Sequence, residues 1–291
     1  MSFAPRLYAT AADWAAAPRK RVLLFGMSGL GKTHVSNMLR SSGGWFHYSV
    51  DYRIGTRYMG ELISDEFKRE AMKVPHLRAL LMSDSIYIAS NITFDNLSPL
   101  STYLGKPGDP ARGGLSIAEY RKRQEQHHDA ECAALLDAPR FIERAVDLYD
   151  YPHFVCDSGG SICEVVSPDD PGDEILQTLA SAMLLVWIQG NDAHRDELVR
   201  RFDKAPKPMC YRAAFTDAAW DEFLRENNVD EGDVDPDLFV RFAYRRAMAA
   251  RQPAYAAMAR NWGVTVTAAE ISEADSPAKF EALIGRAIDR C

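Results

Sequence analysis

The sequence predicts an α/β fold built on a parallel sheet, and three observations predict it. Short continuous apolar runs, suited to strands covered on both faces, recur along the chain. Segments with apolar residues at helical spacing lie between them. Two of the runs end in an aspartate, Asp51 and Asp157, at the strand edge where open α/β sheets bind ligands.

The elements follow in order. Val22-Leu23-Leu24-Phe25 is the first strand, and a glycine-rich turn follows it. Residues 33–40 carry Val35, Met38 and Leu39 at helical spacing, and Gly43-Gly44 stop that helix. A second strand is expected over 45–50, a third over 154–156 and a fourth over 183–188. A charged helix over 192–202 follows the fourth, and a fifth strand over 264–266 precedes a closing helix. About ninety residues separate the second and third strands, far more than an α/β connection uses. The expected organisation is therefore a core of residues 1–58 and 151–291 with a mainly helical insertion, 59–150, that carries a substrate or lid role. Within the insertion, 98–115 is rich in Gly, Pro and Ser and is expected to be a mobile loop, while 117–136 has the composition of a polar-faced helix. The strongly acidic segment 227–237 is expected to be a solvated loop.

Composition narrows the partners. A chain of 291 residues, 47% hydrophobic and 26% charged, can bury one large core. Lys and Arg total 34 against 41 Asp and Glu, a net charge of -7, so nucleic acid and anionic membranes are disfavoured partners, although a local basic segment can coexist with that balance. Cys132, Cys156, Cys163, Cys210 and Cys291 form no C-x-x-C pair, which suits a reducing compartment. Residues 1–20 hold no apolar stretch ahead of Arg19-Lys20-Arg21, and no run of about 18 apolar residues occurs. The expected location is the cytoplasm, with no membrane span.

The turn after the first strand carries the chemistry. Gly26-Met27-Ser28-Gly29-Leu30-Gly31-Lys32-Thr33 satisfies G-x-x-x-x-G-K-[ST], a nucleoside-triphosphate phosphate loop. Glycines let successive backbone N–H groups turn inward around an anion, aided by the positive end of the following helix. Lys32 would reach the β- and γ-phosphates, and the Thr33 hydroxyl would ligate Mg²⁺. Ser28, Leu30 and His34 complete the residues expected around the phosphates of ATP. The fold class is then a P-loop NTPase three-layer sandwich with a helical insertion between its second and third strands. Asp157 stands where such proteins place the acid that supports the metal, although Asp157-Ser158-Gly159-Gly160 is also good turn chemistry.

There is no N-K-x-D guanine motif and no apolar run ending in Asp-Glu, which leaves the small-molecule kinases as the better class. In Ser49-Val50-Asp51, Ser158-Gly159-Gly160-Ser161, Leu185-Val186-Trp187-Ile188, Arg200-Arg201, Lys207-Pro208-Met209 and Arg251-Gln252-Pro253-Ala254-Tyr255 with Ala259, the sequence resembles, in order, the shikimate-kinase-like P-loop kinases. That resemblance implies an ATP- and Mg²⁺-dependent kinase acting on a small-molecule hydroxyl. It implies Asp51 as the base, Gly159 and Gly160 beside the acceptor, and Arg200 or Arg201 as the lid group on the transferring phosphoryl, with Lys204, Lys207 or Arg212 as other possibilities. One Asp and one Gly of the family's acceptor motifs are missing, which argues against shikimate itself.

Several alternatives stay open. Arg53 and Arg57, four apart, would share a helical face and could hold an anionic group of the acceptor, or could be a solvated pair. The lid arginines could instead pair with Asp196 and Glu197 in water. His127 and Glu131 fall at i and i+4 and could hold a metal, against a solvated helix face. His47 and His153 are expected to be packed or hydrogen-bonded, and Trp45, Tyr52, Tyr58 and Tyr87 to serve mainly the core. A different class of function, a regulatory ATP-binding switch acting through a protein partner, accounts for the same loop.

Overall fold

The computed structural model describes residue 3 and residues 5–290. It divides into two compact units. One comprises the described residues up to Val50, with Glu131–Ala205 and the residues from Ala243 on, and the other comprises Asp51–Ala130 and Pro206–Phe242. These boundaries differ from the expected ones. The second unit begins at Asp51 rather than residue 59, stops at Ala130 rather than 150, and takes in Pro206–Phe242. The division falls inside two long helices, Ile117–Tyr149 and Pro236–Trp262.

The first unit has the expected α/β fold of P-loop NTPase type. Its five strands are β1 (Arg21–Phe25), β2 (Trp45–Ser49), β3 (His153–Asp157), β4 (Leu184–Gln189) and β5 (Gly263–Thr267), in the order β2-β3-β1-β4-β5. Every pairing is parallel. The apolar runs are buried as a sheet covered on both faces requires: Val22 to Phe25 and Leu185, Val186 and Ile188 have no exposed surface. Strand ends match the expected positions to within one or two residues. Val50 leaves β2 because a short helix, Val50–Arg53, begins there. The closing helix, Pro277–Asp289, is capped by the Ser276 hydroxyl on the Lys279 N–H and buries Phe280, Leu283 and Ile284. Phe280 meets Trp45 edge to face, and the Trp14 indole donates to the Glu281 carbonyl at 2.9 Å.

The second unit is helical, and three expectations are corrected there. Segment 98–115 is not a mobile loop. Ser98–Leu104 is a helix with Pro99 in its first turn, where the missing N–H costs nothing, and it buries Leu100, Tyr103 and Leu104. After it, Gly108 N donates to Leu115 O, Leu115 N to Lys106 O, and Asp109 N to Val234 O at 2.8 Å. A Cβ on Gly108, whose φ is +139°, would lie 2.4 Å from the Val234 carbonyl oxygen, so only glycine allows this closure. The helix expected over 117–136 runs from Ile117 to Tyr149 and passes through Pro139. The acidic segment is not simply solvated either: Asp235 accepts from Arg112 at 2.8 Å and Asp237 from Lys106 at 2.6 Å.

A charged node holds this unit together. The Arg123 guanidinium, 7% exposed, donates to Glu66 at 2.7 Å, to Glu119 at 2.9 Å and to the Tyr103 carbonyl at 2.6 Å, and it lies 4.8 Å from the Tyr103 ring centroid. Burial alone would raise the Glu66 carboxyl, but hydrogen bonds and charge from Arg123, joined by Arg69, hold it below its ordinary value. Arg123→Met is expected to lower stability by roughly 3 kcal/mol, because Glu66 keeps its partly buried charge and loses its partner. Urea denaturation checks this, and a midpoint equal to that of the parent refutes it. Because the folded carboxyl sits below its unfolded value, this contribution is present above that value and fades as pH falls through the folded one.

None of the described helices is long and apolar enough to cross a membrane. Among the described residues, Cys132, Cys156, Cys163 and Cys210 form no disulfide, and Cys291 lies outside the described residues.

Candidate nucleotide phosphate site

The loop leaves the middle strand of the sheet. Leu24 of β1 is level with Asp157 of β3, and Phe25 with Trp187 of β4, so the loop and Asp157 emerge together at the carboxyl end. Gly26 turns the chain with φ +131°. A Cβ there would stand 2.7 Å from the Ile188 carbonyl oxygen, so the residue that ends the strand must be glycine. Gly29 and Gly31 also have positive φ, and Gly31 is the residue before the helix Lys32–Ser41, whose N-terminus has no side-chain cap. Uncapped N–H groups at a helix start, reached through left-handed glycines, form the concavity that takes a phosphate. Ser28, Gly29, Thr33 and His34 are exposed on this surface, whereas Leu30 is buried and packs beside Gly190.

Lys32 and the Thr33 hydroxyl have fixed partners. Lys32, 6% exposed, donates through Nζ to the carbonyls of Gly26 at 2.8 Å and Met27 at 2.9 Å. The Thr33 hydroxyl donates to Asp157 Oδ2 at 2.7 Å. Burial raises the Asp157 carboxyl above its usual range, against the Lys32 charge and the Thr33 hydrogen bond, which both lower it. A hydroxyl and a carboxylate this close are the hard oxygen donors that Mg²⁺ takes, so the residues present fit the metal the motif implies. Thr33 and Asp157 would hold it, and bound there it would supply charge neutralisation at the phosphates.

No protein-family model matches the chain, and no curated protein matches it in sequence. Among solved structures, it is similar to a shikimate kinase from Bacteroides thetaiotaomicron. The match covers 92% of this chain and 95% of that one, at 14% identity and a TM-score of 0.39. A likeness at that level fixes neither activity nor substrate.

A set of contacts that sequence reasoning did not foresee braces the site. The Ser158 N–H and hydroxyl both donate to the Leu24 carbonyl. Gly159 is buried, and a Cβ on Gly160 would lie 3.3 Å from the Ser28 nitrogen, so this turn packs against the phosphate loop itself. The Gly160 carbonyl accepts from Arg251 and from the Tyr255 hydroxyl, and Arg251, 3% exposed, is ion-paired with Glu164 at 2.6 Å. Gln252 donates to Met27 Sδ. Arg251 and Glu164 stand 87 residues apart, and nothing in the sequence joins them.

His47 lies in β2 with Nε2 3.9 Å from Asp157 Oδ2. Burial, with some help from the Arg40 charge, lowers its imidazole to about 4, so at neutral pH it is uncharged and this contact is not an ion pair. Arg200 and Arg201 lie on the helix Asp192–Lys204. Both are exposed, and Arg200 pairs with Glu197 at 2.6 Å, which matches the solvated alternative for that residue. Leu198 of the same helix lies where a Gly29 side chain would fall.

Asp51, Arg53 and Arg57 belong to the second unit. Asp51 is half-buried on the helix Val50–Arg53, and the chain then makes a π turn, Ile54–Tyr58, in which Met59 N donates to Ile54 O at 2.8 Å. Such turns recur at functional sites. Arg53 stands 5.5 Å from the Tyr58 ring centroid and Arg57 is exposed. His127 is buried rather than on a solvated face, and burial, with the His128 charge, lowers it to about 4. Of the aromatic residues, Trp45 is fully buried and Tyr52 stacks on Phe94 at 4.7 Å, whereas Tyr87 is 89% exposed.

Proposed function

We propose that the chain is an ATP- and Mg²⁺-dependent kinase that transfers the γ-phosphoryl group to a hydroxyl of a small metabolite other than shikimate, in the cytoplasm. The observation that carries this reading is the arrangement of Lys32 and Thr33, at the end of a left-handed glycine loop after β1, with Asp157 at the carboxyl end of β3. In this reading the loop N–H groups and Lys32 orient the phosphates. Asp51 takes the proton of the acceptor hydroxyl, whose oxygen bonds to the γ-phosphorus as the bond to the β–γ bridging oxygen breaks. Charge on the transferring group is met by Lys32 and by Arg200 or Arg201. Arg53 and Arg57 hold an anionic part of the acceptor, with Gly159 and Gly160 beside it.

One observation favours a second reading, a nucleotide switch acting through a protein partner. The helix Pro75–Met82 buries no side chain, and Val74, Met82 and Tyr87 around it are exposed. A phosphate-release assay over a panel of hydroxylated metabolites, run on the parent, Lys32→Ala and Asp51→Asn, separates the two. A kinase shows one metabolite raising turnover severalfold, lost in both variants, while Asp51→Asn still binds Mg-ATP in calorimetry. Slow hydrolysis that no metabolite alters, and that Asp51→Asn leaves intact, overturns the kinase reading in favour of the switch.

A further inference from the structure

The second unit carries a cleft of about 910 Å³, and all of its lining comes from Asp51–Ala130 and Pro206–Phe242. That volume is at the upper end of what small-molecule sites use, and it exceeds the needs of a single small ring.

Its walls have a definite chemistry. On one side is the helix Ser98–Leu104. This helix buries Leu100, Tyr103 and Leu104 and turns Ser98, Ser101 and Thr102, spaced i, i+3 and i+4, toward the cleft. Among the described residues, none of these three hydroxyls has a hydrogen-bond partner. Phe94 adds a ring face backed by Tyr52, the two rings only 10° from parallel. Four cations line the cleft, Lys106, Arg112, Lys207 and Arg241, against the carboxylates Asp95, Asp235 and Asp237. Lys106 and Arg112 are engaged by Asp237 and Asp235, whereas Lys207 has no ion-pair partner among the described residues. The glycine-locked closure of Gly108 on Val234 fixes the wall that carries Arg112 relative to the one that carries Asp235. The cleft is therefore built before any ligand arrives.

We infer that this cleft is a binding site for a phosphomonoester on a hydroxylated ring. Lys207 and the Arg112 side meet the phosphate, the hydroxyls of Ser98, Ser101 and Thr102 and the Asp95 carboxylate meet ring hydroxyls, and Phe94 covers the ring face. A net excess of one cation suits an anion. Hydroxyls without protein partners, beside a carboxylate that also has none, suit a ligand that brings its own donors and acceptors. Two sources share this chemistry, a sugar phosphate and a nucleoside monophosphate. The assignment does not depend on the phosphate loop, and it stands whether or not the ligand is a phosphoryl acceptor.

The test is calorimetric titration of the full chain, without ATP, with glucose 6-phosphate and with adenosine 5′-monophosphate, and with glucose and inorganic phosphate as the partial probes. The proteins are the parent, Lys32→Ala, Lys207→Gln and the double variant Ser101→Ala/Thr102→Val. The expected result is saturable binding of at least one phosphomonoester, retained in Lys32→Ala, weakened about tenfold by Lys207→Gln and severalfold by the hydroxyl variant. Glucose and phosphate alone should bind at least tenfold more weakly. Which phosphomonoester binds more tightly tells the two sources apart. Lys207 is exposed and unpaired, so its replacement leaves the fold intact. Binding of neither phosphomonoester overturns the inference, as does binding lost in Lys32→Ala but unchanged in Lys207→Gln, which would put the phosphate on the loop instead.

Discussion

Lys32→Ala is expected to reduce phosphoryl transfer or ATP hydrolysis by roughly 10²- to 10³-fold, the usual cost of removing one preorganised charge-stabilising donor. The same substitution should leave the fold intact. Nζ now rests on the carbonyls of Gly26 and Met27, which are buried next to the exposed Ser28 and Gly29, and water drawn in from that side is expected to replace the ammonium. A thermal midpoint within about 3 °C of the parent is therefore expected. The two readings together are decisive: a large loss of turnover with a small change in melting assigns Lys32 to chemistry, whereas a protein that melts far earlier would make it a structural residue of the loop. On the proposed reading, nucleotide draws Nζ off the two carbonyls, a cost the variant does not meet, so the variant's loss should be larger in turnover than in affinity.

Acid is expected to destabilise the protein before its carboxylates titrate. His47 and His127 are both buried and both lowered to about 4, the first by burial and the Arg40 charge, the second by burial and the His128 charge. In the unfolded chain each takes a proton near 6.5. Above that value neither state is protonated and the histidines contribute no slope. Between about 6.5 and 4 the unfolded chain binds protons the native one refuses, so stability falls with falling pH, and below about 4 this contribution is flat. Each histidine accounts for a loss on the order of 3 kcal/mol across that window. Urea denaturation from pH 7.5 to 4.5 should show the decline, and His47→Asn should remove about half of its slope. A stability that is level over this range would mean that the imidazoles are charged in the native state.

What was legible in the sequence was local. The phosphate loop occupies eight consecutive residues, of which Gly26, Gly31, Lys32 and Thr33 have types dictated by backbone geometry, charge or metal chemistry, and Asp157 is marked by the apolar strand that delivers it. The parallel sheet could be read because buried strands need unbroken apolar runs such as Leu184 to Ile188. Features that depend on distant partners could not be read. Arg251 gives no sign of Glu164 or of the Gly160 carbonyl it holds, and an acidic stretch looks solvated until Arg112 and Lys106 are found beside it. Composition misled once: the Gly, Pro and Ser of 98–115 suggested a loop where Pro99 opens a helix.

The closure of Gly108 on Val234, and of Arg112 on Asp235, spans a sequence separation of 123 residues for the ion pair alone. At a synthesis rate of about 5 to 20 residues per second, roughly 6 to 25 s pass between the appearance of the two halves of that wall on a ribosome. During that interval the nascent helix Ser98–Leu104 has its apolar side made but its enclosure unfinished. Truncations that stop before Val234 should accordingly be captured by chaperones or proteases rather than accumulate as a folded fragment, and a tag placed at the carboxyl end reports only on chains that have had the chance to close.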